Sequence, residues 1–250
     1  MNALLLSAGL GVRLRPITNT VPKCLVEIHG IPLLEIWLNR IFNSGMARTV
    51  INLHYLAVPV RSFVKQSAWC SQVDLFEEPT LFGTGGTLLA TKNMLGDGPF
   101  MVVHADNLSN IDLKALCDAH SSRPYNCLIT MALFNSEEPQ NCGIVERDEK
   151  NRVVALHEKI DNPPDGPANA AVYIFEQEVF QFIENIHKHR FDIVEDILPA
   201  FMGRIYTYQI SGYHRDIGNP TALDRAHKDI ASGEMLDFIV SNEEGYYATT

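Results

Sequence analysis

The stretch that most constrains this chain is its first thirty-odd residues, Met1 to Leu33, reading MNALLLSAGLGVRLRPITNTVPKCLVEIHGIPL. The apolar run Ala3-Leu4-Leu5-Leu6 stops at Ser7-Ala8-Gly9-Leu10-Gly11. Such a pattern predicts a buried strand followed by a turn whose amides stay exposed. Glycine permits positive φ there and lets a ligand approach without a Cβ in the way. Arg13, Arg15 and Lys23 place three cations within one loop's reach, and Pro16 and Pro22 stiffen it. On physical grounds, a strand that ends in a small-residue loop carrying fixed cations is a polyphosphate cradle.

The spacing Gly9-x-Gly11-x-x-Leu14 breaks the dinucleotide fingerprint, whose third position should be glycine. A P-loop is excluded too, because no Gly-Lys-Ser/Thr follows at the required offset. The pattern present is G-x-G-x-R-L-x-P-x-T-x-x-x-P-K, carried by Gly9, Gly11, Arg13, Leu14, Pro16, Thr18, Pro22 and Lys23. It resembles the sugar-1-phosphate nucleotidyltransferase family, whose members join a nucleoside triphosphate to a sugar 1-phosphate. The resemblance implies a Rossmann-like, three-layer α/β/α fold, and that Leu6, Ala8, Gly9 and Gly11 hold nucleotide while Arg13 and Lys23 carry its triphosphate.

Length and composition agree with an α/β domain of that size. At 250 residues, 46% apolar and 20% charged, the chain is ordinary for a soluble globule. Its net charge of −10 argues against non-specific nucleic-acid or anionic-membrane binding, so local cations and metal must hold polyphosphate against the overall field. The five cysteines are scattered without a C-x-x-C pair, which disfavours disulfides or zinc and fits a reducing cytoplasm. No apolar run approaches the roughly 18 residues a membrane span needs. Residues 3–11 lack a basic leader and a cleavage site, so they do not read as a signal peptide.

Apolar spacing predicts a helix over Pro32–Asn43, a strand over Thr49–Leu53, a helix over Val58–Lys65 and a strand over Val73–Phe76. This alternation indicates βαβ units around a largely parallel sheet, with ligands beyond the carboxyl ends of the strands. The next segment, Glu77-Glu78-Pro79-Thr80-Leu81-Phe82-Gly83-Thr84-Gly85-Gly86-Thr87, is too rich in glycine for an ordinary helix start and suits backbone pressed against a flat ligand. In the resembling family E-x-P-x-x-G-T-x-G lies over nucleobase and ribose. That implies Glu78, or its neighbour Glu77, at the base edge with Gly83 and Thr84 close by. A carboxylate only accepts hydrogen bonds, so it complements the donor edge of guanine and favours GTP over UTP.

Pro99–His104 is a buried strand ending in Ala105-Asp106-Asn107. A carboxylate there costs desolvation unless a cation meets it. The family has a magnesium ligand at this strand end, which Asp106 matches, and a second in W-x-D-I/V-G-T-P, which Asp216 matches. In the latter, Tyr213 stands near the aromatic position and Asn219 replaces threonine, free to cap a helix over Thr221–Ala231. Between them, a hairpin (Cys142–Glu146 and Arg152–His157), the pair Glu158-Lys159 and a strand over Ala168–Phe175 resemble the family's small sugar-binding β subregion. That implies sugar-phosphate contacts from Gly143, Glu158, Lys159 and Asn169, with Ala171 where the family has glycine. Residues 176–186 and 192–201 read as helices, and His187, Lys188, His189 and Arg190 as a solvated helix end.

The whole predicts one catalytic domain over residues 1–231, with a nucleotide-binding half (about 1–125), a sugar-phosphate half (about 126–225) and a tail, 232–250, of no assignable role. The implied activity is Mg²⁺-dependent nucleotidyl transfer. Guanylyl transfer to mannose 1-phosphate or a manno-heptose 1-phosphate stands beside two alternatives, uridylyl transfer to an aminosugar 1-phosphate such as N-acetylmuramate 1-phosphate and a non-catalytic nucleotide-sugar-binding subunit.

Overall fold

Leu4, Leu5 and their neighbour Ala3 are fully buried because the first strand is covered on both faces. The computed structural model describes residues 1–233. In chain order its regular elements are β1 (Asn2–Leu6), β2 (Glu27–Ile28), β3 (Ile31–Pro32), α1 (Leu33–Asn43), β4 (Thr49–Leu53), α2 (Ala57–Gln66) and β5 (Val73–Glu77). Then come α3 (Gly83–Ala90), β6 (Phe100–His104), β7 (Asn107–Ser109), α4 (Leu113–Ser121), β8 (Ile129–Phe134), β9 (Gly143–Arg147) and β10 (Val153–Glu158). The last are β11 (Ala168–Phe175), α5 (Phe180–Ile183), β12 (Ile205–Gln209), β13 (His214–Asp216) and α6 (Pro220–Ala231).

The main sheet runs β12-β8-β11-β6-β1-β4-β5. Every neighbouring pair is parallel except the two that involve β11, which lies antiparallel to both β6 and β8. One rim therefore collects the carboxyl ends of six strands and the amino end of β11. The β9–β10 hairpin attaches at that same amino end, through Ala168 opposite Ile144.

Alternation along each strand sends one set of side chains to each face. Ala3, Leu5, Ile51, Met101, Val103 and Ile174 pack with α1, α2 and α4. Leu4, Leu6, Val50, Phe100, Val102 and Phe175 pack with α3, α5 and residues 193–201. That is the expected three-layer arrangement. A third cluster joins Leu14, Ile28, Leu33, Leu108 and Ile217 to Leu223 and Ala226 of α6, and it lies beneath the first loop.

The expected strands and hairpin are present, and Asn219 caps α6 by accepting from the Ala222 amide at 2.9 Å. The two helices expected after β11 are not regular. Residues 177–179 form a 3₁₀ turn before the four-residue α5, and 193–197 form a π turn followed by a 3₁₀ turn over 198–201. Tail residues 234–250 lie outside the described part.

His120, on α4, is 2% exposed and faces Thr130 Oγ1 at 2.7 Å through Nδ1. Burial, with the nearby Arg123 charge, lowers its pKa to about 3. The folded value lies below the unfolded value near 6.5, so the neutral ring's contribution is intact above pH 6.5 and is lost as pH falls towards 3. Urea unfolding between pH 7 and 5 is expected to show a loss on the order of 1–2 kcal/mol from this group, absent in His120→Gln.

Candidate active site

The first loop is locked from within. Gly11 sits at φ +61°, and a Cβ there would lie 2.8 Å from Thr18 Cγ2. Thr18 is fully buried and donates its hydroxyl to the Gly11 carbonyl at 2.6 Å, while Tyr55 donates to the Thr18 carbonyl at 3.0 Å. Gly9 differs, because a Cβ there would meet nothing within 4 Å. Nothing in the protein requires its bareness, which leaves the open face to a ligand. Behind it, Asn52 at the end of β4 accepts from the Ser7 amide at 2.6 Å and donates to Glu78 Oε1 at 2.7 Å. One buried amide thus ties together the ends of β1, β4 and β5.

The charged groups meet where the sequence placed them. Lys23 Nζ lies 2.6 Å from Asp106 Oδ2 and 3.4 Å from Asp216 Oδ1, although 83 and 193 residues separate the partners in the chain. Arg13 reaches Asp216 at 3.6 Å. Burial alone pushes the Asp106 carboxyl up, yet the Lys23 ammonium, helped by His104, outweighs it and holds the group below its ordinary range. Asp106 follows β6 through Ala105, and Asp216 ends β13, which pairs with β7 so that Asp216 stands opposite Asn107. The Ile217 amide donates to the Asp106 carbonyl at 3.1 Å, which stitches the two acidic positions together. Two carboxylates that touch one ammonium can equally touch one divalent cation. A hard, two-oxygen set leaving the remaining positions to substrate oxygens suits Mg²⁺. Gly218 completes this corner, since a Cβ would press within 2.9 Å of both Asp216 carboxylate oxygens.

Between the first loop and α3 lies a cavity of about 220 Å³. Of the residues expected at the nucleotide, Leu6, Ala8, Gly9, Glu78, Gly83 and Thr84 line it, together with Lys23 and Asp106. Glu77 does not, because it turns away to Arg61 at 2.7 Å. Glu78 is 2% exposed, and its carboxylate already accepts from Asn52, from Thr87 at 2.5 Å and from the Phe82 amide at 3.0 Å. It is a strut as well as a wall, with one lone pair on Oε2 left over.

The glycines of the second segment also have an internal cause. A Cβ on Gly83 would lie 2.3 Å from the Phe191 carbonyl oxygen, and one on Gly85 would lie 2.5 Å from the Phe191 ring. The Gly85 and Gly86 amides both donate to that carbonyl. Asp192 accepts from the Thr84 amide at 3.0 Å and from its hydroxyl at 3.1 Å. The turn that follows the solvated end is therefore the far wall of the cleft, lined by Arg190 and Asp192, while His187, Lys188 and His189 are exposed as expected. Sequence reasoning missed both, and Asn52 as well. The one available signal was Arg-Phe-Asp interrupting the helical spacing.

On the other side of Asp216 sit the groups expected at the sugar phosphate. Gly143 pairs with Glu158 across the hairpin, and a Cβ on it would collide with Glu158 Oε2 at 2.4 Å. Lys159, at φ +49°, extends to Glu158 Oε1 at 3.1 Å. The Cys142 thiol is raised mainly by burial and further by the charges of Asp216 and Glu158, which ties this cluster to the acidic pair. Asn169 is engaged within its own strand and keeps one donor and one lone pair. It donates to the Tyr173 hydroxyl at 2.7 Å and accepts from the Ala171 amide at 3.0 Å, which clasps an irregularity in β11. Ala171 there has φ +53°. A left-handed alanine costs about 1–2 kcal/mol, so Ala171→Gly should raise the unfolding free energy by on the order of 0.5–1 kcal/mol in denaturant titration.

Comparison with known proteins gives the arrangement its kin. The chain is 34% identical over 239 residues, 93% of its length, to the mannose-1-phosphate guanylyltransferase of Mycobacterium tuberculosis. It is 29% identical over 241 residues, 95% of its length, to the bifunctional protein GlmU of Methanococcus aeolicus. It spans 65% and 56% of those two relatives. The crystal structure of HddC from Yersinia pseudotuberculosis superposes with a TM-score of 0.78 over 92% of this chain and 99% of that one, at 24% identity. Residues 2–233 match the family model described as nucleotidyl transferase. The locked glycine loop, the acidic pair on one lysine and this match agree: the chain belongs to the nucleotidyl transferase family.

Proposed function

We propose that this protein transfers a guanylyl group from GTP to a sugar 1-phosphate, releasing pyrophosphate. The observation that carries the reading is the convergence of Asp106 and Asp216 on the Lys23 ammonium beside the cleft. The guanylyltransferase named among its relatives supports the choice of donor, as does Glu78 on the cleft wall.

A phosphate monoester has its second pKa near about 6, so the attacking oxygen is already ionised at neutral pH. The chain needs no general base. Its task is electrostatic, to bring two anions together and to stabilise the charge that builds on departing pyrophosphate. Arg13, Lys23 and the amides around Gly9 and Gly11 receive the triphosphate. Lys159 neutralises the incoming phosphate, and Glu158 accepts from sugar hydroxyls. Asp106 and Asp216 would hold Mg²⁺, which when bound lowers the repulsion between the reacting phosphates.

A full cross of triphosphates against sugar 1-phosphates, read by coupled pyrophosphatase, tests this. Turnover with GTP and mannose 1-phosphate or a manno-heptose 1-phosphate is expected. A clear preference for UTP with an aminosugar 1-phosphate contradicts the donor assignment, and tight nucleotide-sugar binding without turnover contradicts catalysis.

A further inference from the structure

Asp229 lies on α6 and is 5% exposed, a carboxylate that the reaction described above does not use. Its Oδ2 accepts from the Tyr213 hydroxyl at 2.8 Å and meets Arg215 Nη2 at 3.1 Å, and its Oδ1 accepts from Arg225 Nε at 2.9 Å. Arg215 Nε also donates to the Tyr213 hydroxyl at 2.8 Å. On the outer side of the cluster, Glu137 takes a second hydrogen bond from Arg215 at 3.3 Å. A buried carboxylate with a full set of donors is costly to assemble and strongly destabilising to break, so its placement calls for a reason.

The reason follows from the strand it holds. β13 is three residues long, and its only ladder partner among the described residues is β7. Side chains alternate along such a strand, so Tyr213 and Arg215 point one way while His214 and Asp216 point the other. Both members of the first set end on Asp229. Fastening that face to α6 fixes the roll of the strand and aims Asp216 at Lys23 and Asp106. The backbone links, Asn110 amide to Tyr213 carbonyl and Ile217 amide to Asp106 carbonyl, set the register of β13 and hold it by one edge only, and the side chains on Asp229 restrain the twist that one edge permits.

We propose that Asp229 is a positioning residue for Asp216, acting through Tyr213 and Arg215 to set the geometry of the two-carboxylate cation site. This rests on the reading of Asp106 and Asp216 as cation ligands. The test is Mn²⁺ binding to the full chain, without nucleotide, followed by electron paramagnetic resonance, alongside thermal melting in the absence of metal. Asp216→Ala should weaken Mn²⁺ binding at least tenfold. Asp229→Asn should weaken it about five- to tenfold, and Tyr213→Phe, which removes the hydroxyl's two hydrogen bonds and keeps the ring, about two- to fourfold. Should Asp229→Asn fail to fold, Tyr213→Phe decides alone. Loss of binding in Asp216→Ala, but binding within 1.5-fold of the parent in the folded clasp variants, overturns the positioning role, whatever their melting temperatures. Unchanged binding in Asp216→Ala overturns the cation-site reading itself, and the positioning role with it.

Discussion

Asp106→Ala and Asp216→Ala are each expected to lower pyrophosphate release by on the order of a thousandfold or more, with a cooperative melting transition retained. The size follows from where the charges lie. Lys23 is 8% exposed and is held by both carboxylates, so deletion of either leaves it one partner and leaves a divalent cation one anchor. With one carboxylate left, the site would hold a divalent cation more weakly, and the repulsion between the reacting phosphates would be less well offset. Asp106→Ala should be the more severe for structure, since it removes the 2.6 Å contact to the buried ammonium. Asp216, half exposed, should cost activity with little stability. Near-parental turnover in either variant would falsify the shared-cation site.

The second large effect separates two glycines that look alike in sequence. Gly83→Ala is expected to destabilise the fold by on the order of 3 kcal/mol, measured by chemical denaturation. It forces an alanine into φ +79° and drives its methyl into the Phe191 carbonyl, which is backbone held by two glycine amides and cannot step aside. Gly9→Ala should leave stability within about 0.5 kcal/mol, because its methyl enters open space. That methyl would stand where nucleotide approaches, so triphosphate affinity should fall about tenfold or more in calorimetric titration. Equal stability losses in both variants would remove the distinction between a glycine kept for the protein and one kept for a ligand.

These two residues also mark how far the chain could be read without coordinates. Strands β1, β4, β5 and β6 announced themselves because each is an apolar run closed by small or polar residues. Their parallel order follows from the helices between them. Asp106 was legible because a carboxylate beyond a buried strand needs a cation, whereas Asp216 was placed only by its resemblance to the family's W-x-D-I/V-G-T-P pattern. What stayed hidden depends on contacts between distant segments. Nothing local in Gly83-Thr84-Gly85-Gly86 reveals that Phe191 fills the space above it, so those glycines were read as facing a ligand. Asn52 is one polar residue at the end of an apolar strand, and only the fold shows it bridging Ser7 and Glu78. Arg190 and Asp192 fell at the junction between two expected helices, and the chain there is irregular ahead of the π turn over 193–197, with both residues on the cleft. Asn169 was expected at the sugar, and only the fold shows that it also holds the bend around Ala171.

In the main sheet β11 alone is reversed, and on the proposed function that reversal divides labour. The groups that would receive the donor come from strands that all point one way, while those that would meet the acceptor hang from a strand and hairpin attached at the opposite polarity. Exchange of residues 135–168 for the corresponding piece of a relative would, on that reading, replace the acceptor groups and keep the donor side. A change of acceptor would then need no change in how the triphosphate is gripped.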